Sequence, residues 1–250
     1  MIRVEDHGSY AVLVLDDPAR RNALSVESSA ELVRAIDTME SSGNVRVLVV
    51  TGAPPAFCAG ADLAQLEGSD ETGLRSIYAG FQRIVRSPML TVAAVNGAAV
   101  GAGMNLALAC DVRLAAPDAR FDTRFLALGL HPGGGHTWLL RRAVPYSTAA
   151  ALLLAGEVKT GDEAERIGLA HRCVPSDELV PAAHELAARI ASAPTELLAR
   201  TKSTLARSFE CADTYEAVLE EELHAQLWSV EQPYFKESVA ALRRRISSRS

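Results

Sequence analysis

Val95-Asn96-Gly97-Ala98-Ala99-Val100-Gly101-Ala102-Gly103-Met104-Asn105-Leu106-Ala107-Leu108-Ala109-Cys110-Asp111 reads as the end of a buried strand, a glycine-rich turn and a helix of small residues. Small side chains let a backbone come close to a ligand, and a turn that opens a helix leaves N–H groups unpaired. A dinucleotide-binding fingerprint fits poorly: Gly101 and Gly103 match, but Leu106 stands where the third glycine belongs and no acidic ribose ligand follows. No Gly-Lys-Ser/Thr follows either, so the stretch is not a Walker loop.

The same pattern occurs upstream. Residues 45–50 form a short apolar run of the kind buried on both faces, and a loop over 52–62 carries Phe57-Cys58-Ala59-Gly60-Ala61-Asp62-Leu63. Alone, this segment is an ordinary strand-to-helix turn with Asp62 as cap. Together, the two loops could aim two N–H groups at one oxygen, the arrangement that stabilises an enolate or a tetrahedral oxyanion.

Further outward, residues 10–15 are β-rich and end at Asp16-Asp17-Pro18, a turn signal. Ser25 caps a helix with Leu32, Val33, Ile36 and Met39 at helical spacing, which stops near Gly43. A second helix spans 70–86, Pro88 precedes a strand at 90–95, and another strand covers 112–115. This alternation predicts an α/β fold with parallel strands. From about residue 176 the pattern turns helical, over 176–191, 195–208, 213–229 and 233–245. The organisation expected is a core over 1–193 and a helical region over 194–250.

Of the 250 residues, 48% are hydrophobic and 22% charged, and the net charge of -6 argues against a nucleic-acid partner. The basic run Arg243-Arg244-Arg245 reads as a solvated helix end. Four cysteines without a CxxC pair exclude a zinc or disulfide framework as an expectation and suit a reducing compartment. The first residues lack the apolar core of a signal peptide, and the longest apolar run, 149–155, is too short to span a bilayer. A cytoplasmic protein without a membrane span or bound metal is expected.

The chain resembles the enoyl-CoA hydratase/isomerase (crotonase) family. The resemblance runs through Arg21-Asn22-Ala23-Leu24, the 57–63 and 96–111 segments and Leu128-Gly129-Leu130-His131-Pro132-Gly133-Gly134, in that order along the chain. It implies the crotonase (ClpP/crotonase) spiral of ββα units, followed by a C-terminal helical trimerisation region. It implies a homotrimer or dimer of trimers, and coenzyme A as part of the substrate rather than a tightly bound cofactor. The oxyanion-hole amides would be those of Ala59 and Ala102. Arg20, Arg21 and Ala23 would follow the CoA phosphates and pantetheine, and Ala61, Asp62 and Leu63 would meet the adenine end through backbone groups. Gly101, Asn105, Phe125, Leu128 and Gly133 would belong to the substrate pocket, with Leu242 and Arg245 covering the nucleotide.

The sequence departs from the family at its acid/base positions. Where hydratases carry two glutamates, this chain has Asn105 and Phe125; where isomerases and related members often carry an aspartate, it has Gly133. A positioned acid or base is worth about 10²–10⁴-fold, so hydration is expected to be weak while a backbone-built pocket survives. His131 and Asp122 are the candidate replacements, with His136 behind them; the plain alternatives are a loop histidine, a turn or ion-pair residue and a helix cap. The expected function is therefore an enzyme of the enoyl-CoA hydratase/isomerase type. An acyl-CoA binding or delivery protein is the alternative, and a nucleotide-dependent oxidoreductase the weakest reading.

Overall fold

The computed structural model describes residues 1–67 and 69–210, together with Pro233 and Glu237. The chain divides into two compact units, Met1–Ser192 and Ala193–Ser250.

The first unit opens with β1 (Ile2–Asp6) and β2 (Tyr10–Leu15), paired antiparallel. Helix α1 (Val26–Ser42) starts at Ser25, whose side chain accepts from the Ser28 N–H in a capping box, and stops at Gly43, which has a left-handed conformation. Strand β3 (Val47–Gly52) follows, then β4 (Ala56–Cys58), α2 (Leu63–Glu67) and α3 (Glu71–Val85), the last capped by Asp70. Next come β5 (Leu90–Val95), β6 (Ala98–Val100), α4 (Ala102–Ala109), β7 (Val112–Ala115) and β8 (Arg120–Asp122). Then α5 (His136–Ala143), α6 (Tyr146–Leu153), β9 (Lys159–Thr160), α7 (Gly161–Arg166), β10 (Arg172–Cys173) and α8 (Leu179–Ile190) complete the unit.

These strands build two sheets. One has the order β1-β2-β3-β5-β7-β10 and the other β4-β6-β8-β9. Three successive turns of the chain, β3–β4, β5–β6 and β7–β8, each leave a longer strand in the first sheet and a short one in the second before a helix returns it, and within each sheet most neighbours are parallel. Period-two alternation divides the larger sheet. Leu13, Leu48, Val50, Ala93 and Val95 point into the main core with Leu32, Ile36, Phe81 and Met104. Val12, Val47, Val49, Val92 and Leu114 point the other way, against Leu179, Ala183 and Ala187 of α8.

The strand expected at 45–50 lies at Val47–Gly52, and the supposed 52–62 loop contains β4. A three-residue strand carries no periodic signal; β4 exists because β6 pairs with it from forty residues away, Ala56 opposite Ala98. In the second unit α9 (Thr195–Glu210) is described. The helices expected at 213–229 and 233–245, and with them Leu242 and Arg245, lie outside the described residues except for Pro233 and Glu237. No helix among the described residues is long and apolar enough to cross a membrane.

Candidate active site

Strands β4 and β6 lie side by side, so the loops that leave them emerge together. A Cβ placed on Gly103 would lie 2.0 Å from the Cys58 carbonyl oxygen, so the start of α4 can rest on the end of β4 only because residue 103 has no side chain. Gly101, at φ +50° and ψ -112°, turns the chain from β6 into the helix, and its N–H donates to the Asp122 carbonyl at 2.9 Å. The next amide, that of Ala102, opens the helix and has no hydrogen-bond partner among the described residues.

The other loop corrects a sequence expectation. The Ala59 N–H, expected as an oxyanion donor, already donates to the Arg21 carbonyl at 3.0 Å. Gly60 then takes φ +116°, a conformation open to glycine, and reorients the chain. Ala61 forms a parallel bridge with Leu24, in which the Leu24 N–H donates to Gly60 O at 2.7 Å and the Asp62 N–H donates to Leu24 O at 2.8 Å. A bridged residue of this kind turns its own N–H away from the partner strand. The Ala61 amide accordingly faces away from Leu24 and has no partner among the described residues. Arg21 and Asn22 make the arrangement possible with φ of 50° and 59°. Buried Asn22 donates from Nδ2 to the carbonyls of Ala53 at 2.8 Å and Ala56 at 2.7 Å, pinning the loop before β4. Sequence reasoning gave Asn22 no role; an asparagine beside an arginine carries no signal of a contact thirty residues away.

The two residues that carry these amides, Ala61 and Ala102, line one pocket of about 160 Å³. Of the residues assigned to it from sequence, Gly101, Asn105, Phe125, Leu128 and Gly133 all line it, as do Ala59, Gly60 and Leu63. His131 does not: it is exposed, its Nδ1 2.8 Å from the Pro132 carbonyl oxygen. Nor does Asp122, whose carboxylate is held by Arg124, with Nε at 2.9 Å. Neither side chain stands where it could replace a missing glutamate in this conformation. Arg20 is exposed and sits between Asp17 at 2.6 Å and Asp62 at 3.3 Å, while Arg21 is exposed beside it. Asp62 also caps α2, accepting from the N–H groups of Ala64 at 3.0 Å and Gln65 at 3.2 Å. Outside the pocket, Glu5, His7 and His184 bring three potential ligand atoms within 4.8 Å of one another.

Asn105 has a partner that sequence reasoning did not supply. Its Nδ2 donates to the Gly133 carbonyl at 3.0 Å, and its Oδ1 lies 2.6 Å from Nδ1 of His136. His136 is 1% exposed, and the Phe125 ring stands edge-on to it at 4.8 Å between centroids. Burial holds this imidazole down at about 4, so it is neutral at physiological pH. It therefore packs against both Asn105 and Phe125, the two positions at which the sequence resemblance led us to expect glutamates.

The family model for enoyl-CoA hydratase/isomerase matches residues 5–245. A probable enoyl-CoA hydratase of Mycobacterium tuberculosis, EchA14, is 44% identical, covering 98% of this chain and 97% of that protein. The short-chain-enoyl-CoA hydratase of Clostridium acetobutylicum is 32% identical over 91% of this chain and 89% of its own length. Among solved structures, an enoyl-CoA hydratase from Bacillus anthracis superposes with a TM-score of 0.91 at 28% identity, covering 98% of this chain and 96% of that one. The interleaved sheets are thus the crotonase fold, and the chain belongs to the enoyl-CoA hydratase/isomerase family.

Proposed function

We propose that this protein is an enzyme that binds an acyl-CoA thioester with its carbonyl oxygen between the amides of Ala61 and Ala102, and that its reaction is not efficient hydration of a 2-enoyl-CoA. The observation that carries the reading is the pair of unpartnered N–H groups, one from each glycine loop, on one pocket. Two such donors stabilise negative charge developing on a thioester oxygen, and Ala102 adds the positive end of α4. Arg20 and Arg21, beside the 57–63 loop, are two cations available to a CoA phosphate, although Arg20 already shares its charge with two carboxylates. The region 194–250 serves oligomerisation as a trimer or dimer of trimers, the protein works in the cytoplasm, and no tightly bound cofactor takes part.

The acid/base wall supports the second half of the proposal. Asn105 cannot exchange a proton near neutrality and Phe125 has none to give, while His131 and Asp122 stand outside the pocket. Loss of the enoyl absorbance of crotonyl-CoA, paired with calorimetric titration of butyryl-CoA, tests it. The expected result is butyryl-CoA binding together with hydration at least about 10²-fold below that of a family hydratase bearing both glutamates. Rapid hydration would overturn the assignment of the acid/base wall, and binding of saturated thioesters without turnover of any acyl-CoA would favour the delivery reading.

A further inference from the structure

Away from the pocket, the first hairpin and α8 bring two imidazoles and a carboxylate together. Glu5 ends the described run of β1 but for Asp6, and His7 stands two residues further on; in extended chain that spacing puts two side chains on one face. The His7 N–H donates to the Tyr10 carbonyl at 3.0 Å, which closes the turn into β2. Helix α8 supplies His184. Its Leu179, Ala183 and Ala187 press onto Val12, Val47 and Val49, and residue 184 follows on the flank of that stripe.

Tyr10 organises both imidazoles. Its ring stacks on His7 at 4.7 Å with 6° between the planes, and its hydroxyl lies 3.0 Å from Nδ1 of His184. The two imidazoles meet edge to face at 4.9 Å. A hydroxyl can donate to this nitrogen or accept from it, so the His184 ring stays anchored whichever of its nitrogens carries the hydrogen.

One ligand atom from each of Glu5, His7 and His184 lies within 4.8 Å of the other two. Ligand atoms around a tetrahedral zinc ion stand about 3.3 Å apart, from bonds of about 2.0–2.1 Å. Closing the set takes about 1.5 Å, which rotation of an exposed His7 and a half-buried Glu5 supplies. Glu5 pairs with Arg3, and turning it to a cation would not strand that guanidinium, because Arg3 also holds Asp16 through Nε at 3.2 Å. Two imidazoles and a carboxylate suit borderline divalent ions such as Zn²⁺, Co²⁺ and Ni²⁺, whereas Mg²⁺ and Ca²⁺ call for oxygen ligands. The expectation of no bound metal rested on the cysteines, and this set contains none. It leaves no mark in the sequence, since 174 positions separate Tyr10 from His184.

We propose that Glu5, His7 and His184 bind one borderline divalent cation of the zinc class, with solvent in the fourth position, and that the ion ties the first hairpin to α8. The site lies outside the acyl pocket and takes no part in the reaction, so it stands or falls independently of the acyl-CoA reading.

Calorimetric titration of the metal-stripped full chain with Zn²⁺, in a buffer that does not chelate, tests it. His7→Gln, His184→Gln and Glu5→Gln should each weaken binding by at least the roughly 10–100-fold that loss of a supporting group costs a metal site. Tyr10→Phe, which keeps the stacking and removes only the hydrogen bond to His184, should weaken it less than either histidine variant. His171→Gln, at an exposed histidine outside the cluster, should leave the affinity unchanged. Co²⁺ in place of Zn²⁺ should give visible absorption without the near-ultraviolet thiolate band that binding at Cys173 would produce. Zn²⁺ should also raise the thermal unfolding midpoint of the parent chain and not that of His7→Gln. Because His7 is exposed, this variant decides the matter even if a His184 variant fails to fold. No uptake at millimolar Zn²⁺, a thiolate band, or binding and a midpoint shift that survive His7→Gln would overturn the proposal.

Discussion

The two sides of the pocket are built from different material. One is backbone: the Ala61 and Ala102 amides, aimed by the Leu24 bridge, Gly60 and the approach of Gly103 to Cys58. The other is side chain: Asn105 held by His136, Phe125, and the Tyr78 hydroxyl over Gly133. The side-chain wall carries no carboxylate at 105, 125 or 133, whereas the backbone side has unpaired donors with alanine at both positions. An N–H donor survives any substitution other than proline that preserves the chain path, but a proton-transfer group disappears with one residue. A scaffold of this kind can therefore change its reaction while retaining its grip on a thioester.

The largest effect should come from removing an amide without removing the helix. Ala102 is the first residue of α4, where proline is tolerated because the N–H has no partner in the helix. Ala102→Pro should preserve the circular dichroism spectrum and lower turnover of the protein's best acyl-CoA by about 10²–10³-fold. An unchanged rate would mean that the backbone side does no chemistry.

The side-chain wall should show itself in pH dependence. His136 has a folded value of about 4 against an ordinary 6.5. The unfolded chain gains its proton first, so this site's stabilisation is complete above pH 6.5 and declines as the pH falls toward 4. The loss should be on the order of 3 kcal/mol, and His136→Gln should flatten that slope in denaturant titrations. A slope unaltered by the substitution would show that the imidazole is not held neutral by burial.

A smaller contrast comes from two glycines. At Gly103 an added methyl would meet a backbone oxygen at 2.0 Å, whereas at Gly133 it would meet the end of the Tyr78 side chain at 2.4 Å. Gly103→Ala should cost about 1–3 kcal/mol in thermal unfolding. Gly133→Ala should cost less, because the ring can swing away. Equal costs would mean that the two walls are equally rigid.

Local chemistry was legible in the sequence, and long-range pairing was not. Ser25 and Gly43 announce the ends of α1 because caps act within a few residues, and the valine-rich strand β3 reads as buried on both faces. Strand β4 and the Leu24–Ala61 bridge have no such mark, since each is defined by a partner far along the chain. That is why the sequence points to the 57–63 loop as a donor yet selects Ala59, whose N–H is spent on Arg21, over Ala61. Similarly, the emptied positions Asn105, Phe125 and Gly133 could be read residue by residue, whereas the contact of His136 with Asn105 spans thirty-one positions and leaves no local trace.

The most direct measurement is the carbonyl stretch of butyryl-CoA labelled with carbon-13 at the thioester, recorded bound to the protein by isotope-edited difference infrared spectroscopy. Two amide donors on one oxygen polarise the bond, so the band should move to lower frequency than in water and return most of the way in Ala102→Pro. A bound thioester whose band stays at its solution position, or shifts equally in the variant, would contradict convergence of the two amides on that oxygen.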